Sequence, residues 1–135
     1  MIVLDCSAAI AIVQRTEQGA ALRKLIDPGE KVIAPSLFTT EVANVAWKYV
    51  HADMVTASRA KQMTADALAL VDEYVPVESL IEESFATAIH LDHSVYDITY
   101  LVLARRNAAI MMTCDLKLQR LCEDAGVSCI AEVAL

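Results

Sequence analysis

Four carboxylates stand at or near places where a strand gives way to a helix. Asp5 ends "IVLD", Glu41 follows "PSLFTT", Asp97 lies in "SVYDITYLVLARR", and Asp115 follows "IMMTC". Asp97 is the most conspicuous, because from Ser94 to Ala104 the other side chains are apolar or weakly polar and burying an unpaired charge costs several kcal/mol. Each acid has an ordinary local account. Ser94 and Asp97 fit the S-x-x-D capping box, and an acid in the first turn suits the helix dipole. Asp5 fits a strand-end turn, and Asp115 fits an N-cap for "LKLQRL". Glu41 fits the solvated rim of the stripe Phe38, Val42, Val45 and Tyr49. Those accounts treat the acids singly and leave their common placement unexplained. Two ionised carboxylates ~5 Å apart repel by roughly 3 kcal/mol at an effective dielectric of 20. Four together require protonation or a cation, and hard oxygen donors suit Mg²⁺ or Mn²⁺. Such a cation can activate water and shield a phosphodiester during in-line displacement.

The elements that must position these acids alternate along the whole chain. "IVLD" (2–5), "KVIAP" (31–35), a short run in "YVPVES" weakened by Pro76, "AIMMT" (109–113) and "VSCIA" read as strands. Between them, helices are expected over "SAAIAIVQ" with Ser7 as N-cap, over 17–27, 36–51 and 55–74, and over "LIEESFATAIHLD", "SVYDITYLVLARRN" and "LKLQRLCEDAG", the last closing on Gly126. This alternation predicts an α/β fold with a central parallel sheet of four to five strands flanked by helices, as a single domain over residues 1–135. In such sheets ligands bind at the carboxyl ends of the strands, the end that Asp5, Glu41, Asp97 and Asp115 are expected to share.

Composition narrows the function further. At 56% hydrophobic, the 135-residue chain is too apolar for disorder. Its apolar runs are too short for a membrane span. "MIVLD" is too short and uncharged for a secretory signal, so the expected compartment is the cytoplasm. Cys6, Cys114, Cys122 and Cys129 form no C-x-x-C pair and no zinc spacing with histidine, which predicts reduced, mostly buried thiols. A net charge of −7 argues against a broad basic nucleic-acid clamp and fits a divalent metal, a basic partner, or a substrate reached through bound metal. The apolar content and the helices "LFTTEVANVAWKYV" and "ALALVDEYV" point to surface used in association. His51, His90 and His93 lie away from the acidic motifs and read as surface or helix-end residues.

"IVLDCSA", "PSLFTTEVANV", "SVYDITYLVLA" and "TCDLKL" resemble, in order and spacing, the PIN domain, and within it the toxin ribonucleases of VapBC-type toxin–antitoxin pairs. The resemblance covers essentially the whole chain; the individual motifs are short, and their ordered set carries it. It implies a PIN-like three-layer fold and a metal-dependent endoribonuclease using Mg²⁺ or Mn²⁺. Asp5, Glu41, Asp97 and Asp115 take the family's acidic positions. Asp5, Asp97 and Asp115 would hold the metal directly or through water, and Glu41 would ligate it or orient the attacking water. Ser7 and Thr113 take the small hydroxyl positions beside the metal. The resemblance also implies a homodimer and a cognate antitoxin whose basic tail places an Arg or Lys among the acids. The alternatives are a PIN-fold RNA-processing nuclease without an antitoxin and an inactive PIN-fold binding module. A phosphoacceptor receiver domain lacks its Asp and Lys here, and a dehalogenase-type phosphatase lacks D-x-D, since Asp5 is followed by Cys6 and Ser7.

Overall fold

The computed structural model describes residues 1–131. Three short apolar runs form the centre of the sheet: β1 (Ile2–Leu4), β2 (Val32–Pro35) and β4 (Ile110–Met112). β3 (Glu73–Val75) and β5 (Cys129–Ile130) lie at the edges, giving the order β3-β2-β1-β4-β5 with all pairs parallel. Ile2 is in register with Val32 on one side and Ile110 on the other, and Leu4 with Met112. Val3, Leu4, Ala34, Met111 and Met112 are fully enclosed, as expected for a parallel sheet covered on both faces. β3 fits the edge, because Pro76 follows it directly and cannot donate to a further ladder.

The helices are α1 (Cys6–Val13), α2 (Glu17–Lys24), α3 (Leu37–His51), α4 (Ala57–Leu68), α5 (Ile81–Leu91), α6 (Val95–Arg106) and α7 (Leu116–Ala125). A 3₁₀ turn (Val77–Ser79) links β3 to α5. α6 explains its own oily sequence: residues 98–104 are all buried, so it is a central helix with no solvent face along that stretch. Its last turn is pinned by Arg105 and Arg106, which both donate to Glu83 of α5. No helix among the described residues is long and apolar enough to cross a membrane.

Several sequence expectations need correction. Asp5, not Ser7, is the N-cap of α1, its carboxylate accepting from the Ala8 amide at 2.9 Å. The helix expected over 55–74 ends at Leu68, and Glu73 and Tyr74 pair as strand with Ile33 and Ala34. Asp72 drives that change: its carboxylate accepts from the Val32 amide at 2.8 Å while its own amide donates to the Val32 carbonyl. The helix expected over 17–27 ends at Lys24. All four cysteines are free thiols as expected, but only Cys122 is buried; Cys6 and Cys129 are half-buried and Cys114 is exposed.

Candidate active site

Strand order reverses between β1 and β4: the chain leaving β1 crosses toward β2, and the chain leaving β4 crosses toward β5. The crevice beyond the carboxyl ends of two such strands is where open α/β sheets bind ligands. Asp5 leaves β1 at this point and Thr113 leaves β4. Asp5 is only 6% exposed, and its carboxylate is held from three sides. Ser7 Oγ donates at 2.8 and 3.0 Å to the two oxygens, Thr113 Oγ1 donates at 2.6 Å, and the Ala8 amide completes the set. The two hydroxyls are themselves fixed, Ser7 Oγ accepting from the Cys114 amide and Thr113 Oγ1 from the Asp115 amide. Burial outweighs all these donors, with a further push from Asp115, and lifts the Asp5 carboxyl to about 6. Removing water penalises the charge more than the hydrogen bonds favour it.

Asp97 tests the capping-box account directly. Ser94 is the N-cap of α6, but its side chain makes no capping hydrogen bond. Asp97 instead has its Oδ2 3.8 Å from His93 Nε2. Burial raises the Asp97 pKa and the charge of Asp115 raises it further, against the opposing pull of His93 and Lys117. Asp115 does cap α7, accepting from the Lys117 amide at 2.9 Å, so its structural role coexists with its place beside Asp97 and Asp5. Glu41 projects from α3 and accepts from the Tyr100 hydroxyl at 2.5 Å. Burial raises the Glu41 pKa, the Tyr100 bond opposes the rise, and Asp97 adds to it. The acids are thus electrostatically chained, Asp5 to Asp115, Asp115 to Asp97, and Asp97 to Glu41.

All four acids line one open cleft of about 510 Å³, with Ser7, Lys48 and Tyr100 also in its wall. The donor set is oxygen-only carboxylate chemistry under mutual repulsion, which fits a hard divalent cation. Among the described residues, no three His, Cys, Asp or Glu side chains converge closely enough to form a ready-made coordination sphere; the acids share the cleft without being drawn together. Cys6, the cysteine in the cleft wall, is disfavoured as a nucleophile, since burial first, then Glu41 and Asp5, push its thiol up to about 12. The Tyr100 hydroxyl is raised well above its usual range by burial and by Glu41, so it remains a donor.

The cleft gathers every acid singled out in the sequence, and Ser7 and Thr113 turn out to hold Asp5. Two partners were missed. Tyr100 carries a signal in hindsight, lying three residues after Asp97 and so on the same helix face. His93 lies in the connection between α5 and α6 and, contrary to the expectation that it stands away from the acidic motifs, sits beside Asp97, four residues before it. His51 and His90 are exposed and do not line the cleft.

Comparison with known proteins addresses the family and the fold. The chain is similar to Ribonuclease VapC12 of Mycobacterium tuberculosis, 29% identical over 115 residues that cover 85% of this chain and 87% of the relative. It is similar to Ribonuclease VapC3 of Pyrobaculum aerophilum, 25% identical over 122 residues covering 87% and 91% of the two chains. Its fold matches the crystal structure of PAE2754 from Pyrobaculum aerophilum with a TM-score of 0.67 at 21% identity, over 88% of this chain and 84% of that one. The family model for the PIN domain matches residues 2–124, and with that span the chain belongs to the PIN-domain family.

Proposed function

We propose that the chain is a VapC-type endoribonuclease, the toxin of a type II toxin–antitoxin pair, hydrolysing RNA phosphodiester bonds with Mg²⁺ or Mn²⁺. The observation that carries the reading is the meeting of Asp5, Glu41, Asp97 and Asp115 in one cleft from four separate elements. The similarity to proteins named ribonucleases supports it. Asp5, Asp97 and Asp115 would hold the cation directly or through water, and Glu41 would ligate it or orient the attacking water. When bound, it would polarise the scissile phosphate and lower the pKa of a bound water.

The chain's own residues do the rest. Ser7 and Thr113 fix both oxygens of Asp5, so its orientation is set before substrate arrives. Tyr100 holds Glu41 by one oxygen, leaving the other free to accept a proton from the attacking water. A raised Glu41 pKa makes it a better base than a solvated glutamate. The proposed setting is a cytoplasmic homodimer inhibited by an antitoxin. An Arg or Lys from the antitoxin's basic tail would pair with Asp97, Glu41 or Asp115 and neutralise the cleft.

Cleavage of structured RNAs with Mg²⁺, with Mn²⁺ and in EDTA, alongside an Asp5→Asn control, tests the nuclease. Coexpression with the product of the neighbouring reading frame tests the toxin role. Cation-dependent cutting that Asp5→Asn abolishes is the expected result. A chain that is harmless alone, and fully active beside that product, would leave a processing nuclease instead.

A further inference from the structure

The α3 wall of the cleft carries more than Glu41. Asn44 and Lys48 line the cleft from the same helix, and among the described residues no carboxylate pairs with Lys48. Directly beside Lys48, Trp47 stacks on His51 with ring centroids 5.0 Å apart and planes 13° from parallel. One face of the indole is covered in this way, yet Trp47 remains 58% exposed. An exposed aromatic alone is ordinary. Neither ring lines the cleft, but His51 follows Lys48 at i+3 and so neighbours it on the helix surface. An aromatic stack next to an unpaired cation, on the helix that also carries Glu41 into the cleft, is a more specific arrangement.

We propose that Trp47 and His51 form a stacking platform for an unpaired RNA base, with Lys48 meeting the adjoining phosphate, so that a single-stranded segment runs along α3 into the cleft. The proposal rests on the nuclease reading and names the form of its substrate. Its physical basis is the net charge. A chain of −7 lacks the broad phosphate attraction that supplies much of the affinity of basic nucleic-acid binders. Stacking on an aromatic face depends little on net charge and is open to every base. It requires the base to be unpaired, because a paired base in a helix has both faces occupied by its neighbours.

Trp47 is the sole tryptophan, so its fluorescence reports on this platform alone. The full chain is titrated in Ca²⁺ and again in EDTA with an unstructured oligouridylate, an abasic ribose-phosphate oligomer of equal length, and a blunt RNA duplex. RNA integrity is checked on a gel. Oligouridylate is expected to quench Trp47 saturably in at least one condition, and the other two probes not to do so at equal phosphate concentration. Binding of labelled oligouridylate should weaken by about 5- to 150-fold in Trp47→Ala, the range found for removing one stacking aromatic, and recover substantially in Trp47→Phe. Lys48→Ala should weaken all three probes alike. Equal quenching by the abasic oligomer or duplex, no quenching in either condition, or wild-type affinity in Trp47→Ala overturns the platform. So does a Trp47→Ala chain whose size in solution falls, since the face is then an interface between copies. Quenching by oligouridylate with no cleavage in the separate Mg²⁺ and Mn²⁺ assay of structured RNAs defeats the nuclease reading alone, and cleavage in that assay without quenching here defeats the platform alone.

Discussion

At Asp5, two demands meet on one carboxylate: it is nearly fully buried, and it is surrounded by donors that favour its charge. Burial wins, and the carboxyl rises to about 6 from roughly 3.9 in an unfolded chain. Between those values the folded state keeps a proton that the unfolded state has released, so stability falls as pH rises through that window. The full difference is at most about 3 kcal/mol for a shift of roughly two units. Glu41 and Asp97 are shifted in the same direction and add the same sign. Asp5→Asn removes the Asp5 contribution. In EDTA, the melting temperature of the variant minus that of the wild type should therefore climb between about pH 4 and pH 6 and level off above. Parallel melting curves across that range would show that Asp5 ionises as an ordinary solvated acid. Asp97 makes a different test, because no capping bond depends on it. Asp97→Asn should keep the fold and lose more than about 100-fold in RNA cleavage, beyond the loss typical of outer-shell partners of a metal. Near-normal turnover at saturating Mg²⁺ would remove Asp97 from the ligand set.

Elements and their order were legible where local chemistry and the fold agree. Apolar β-branched runs announce β1, β2 and β4, Asp115 caps α7 as its sequence suggests, and Gly126 closes that helix in the left-handed region at φ 70. The boundary at 69–75 was illegible because its cause is distant. The amphipathic pattern runs on through "ALALVDEY", but pairing with β2 pulls Glu73–Val75 into the sheet, and the Tyr74 hydroxyl ties the new strand to the Leu68 carbonyl at 2.6 Å. The site divides in the same way. Its acids could be read from their junctions, whereas the Tyr100–Glu41 bond joins residues 59 apart and becomes visible only after folding. Gly19 is a further case. Its residue type looks like a defect inside α2, but a Cβ there would run into the backbone of Ala11 and Ile12 in α1. Thr16 caps α2 through the Gly19 amide at 3.0 Å, and both Gln14 and Thr16 line the cleft. Gly19→Ala should therefore destabilise by about 3 kcal/mol, at the upper end of overpacking costs, although alanine favours helices intrinsically. A denaturant midpoint equal to or above that of the wild type would mean that α1 and α2 separate freely, and the close packing would then have no energetic role.

For the molecule as a whole, the question is how a fold with net charge −7 tolerates more acid at its sheet edge than repulsion favours. Charge far from zero destabilises a compact state through self-repulsion, and the cleft concentrates that cost where β1 and β4 diverge. A cation held there would relieve both the local and the overall repulsion, and one that bound only the folded chain would stabilise it by RT ln(1 + [L]/Kd). At a hundredfold excess over Kd the gain is about 2.7 kcal/mol, which for a chain of this size corresponds to roughly 10 °C in Tm. Mg²⁺ or Mn²⁺ should thus raise the wild-type Tm progressively with concentration, beyond any rise produced by NaCl at matched ionic strength. The double variant Asp5→Asn, Asp97→Asn separates binding from screening. Replacing two acids takes the chain from −7 to −5, so it remains an acidic protein open to nonspecific screening while losing two cleft carboxylates. Its Tm should respond to Mg²⁺ little more than to NaCl. An equal response in both proteins would assign the effect to general charge screening, and the cleft would then be an acidic surface without a selective cation site.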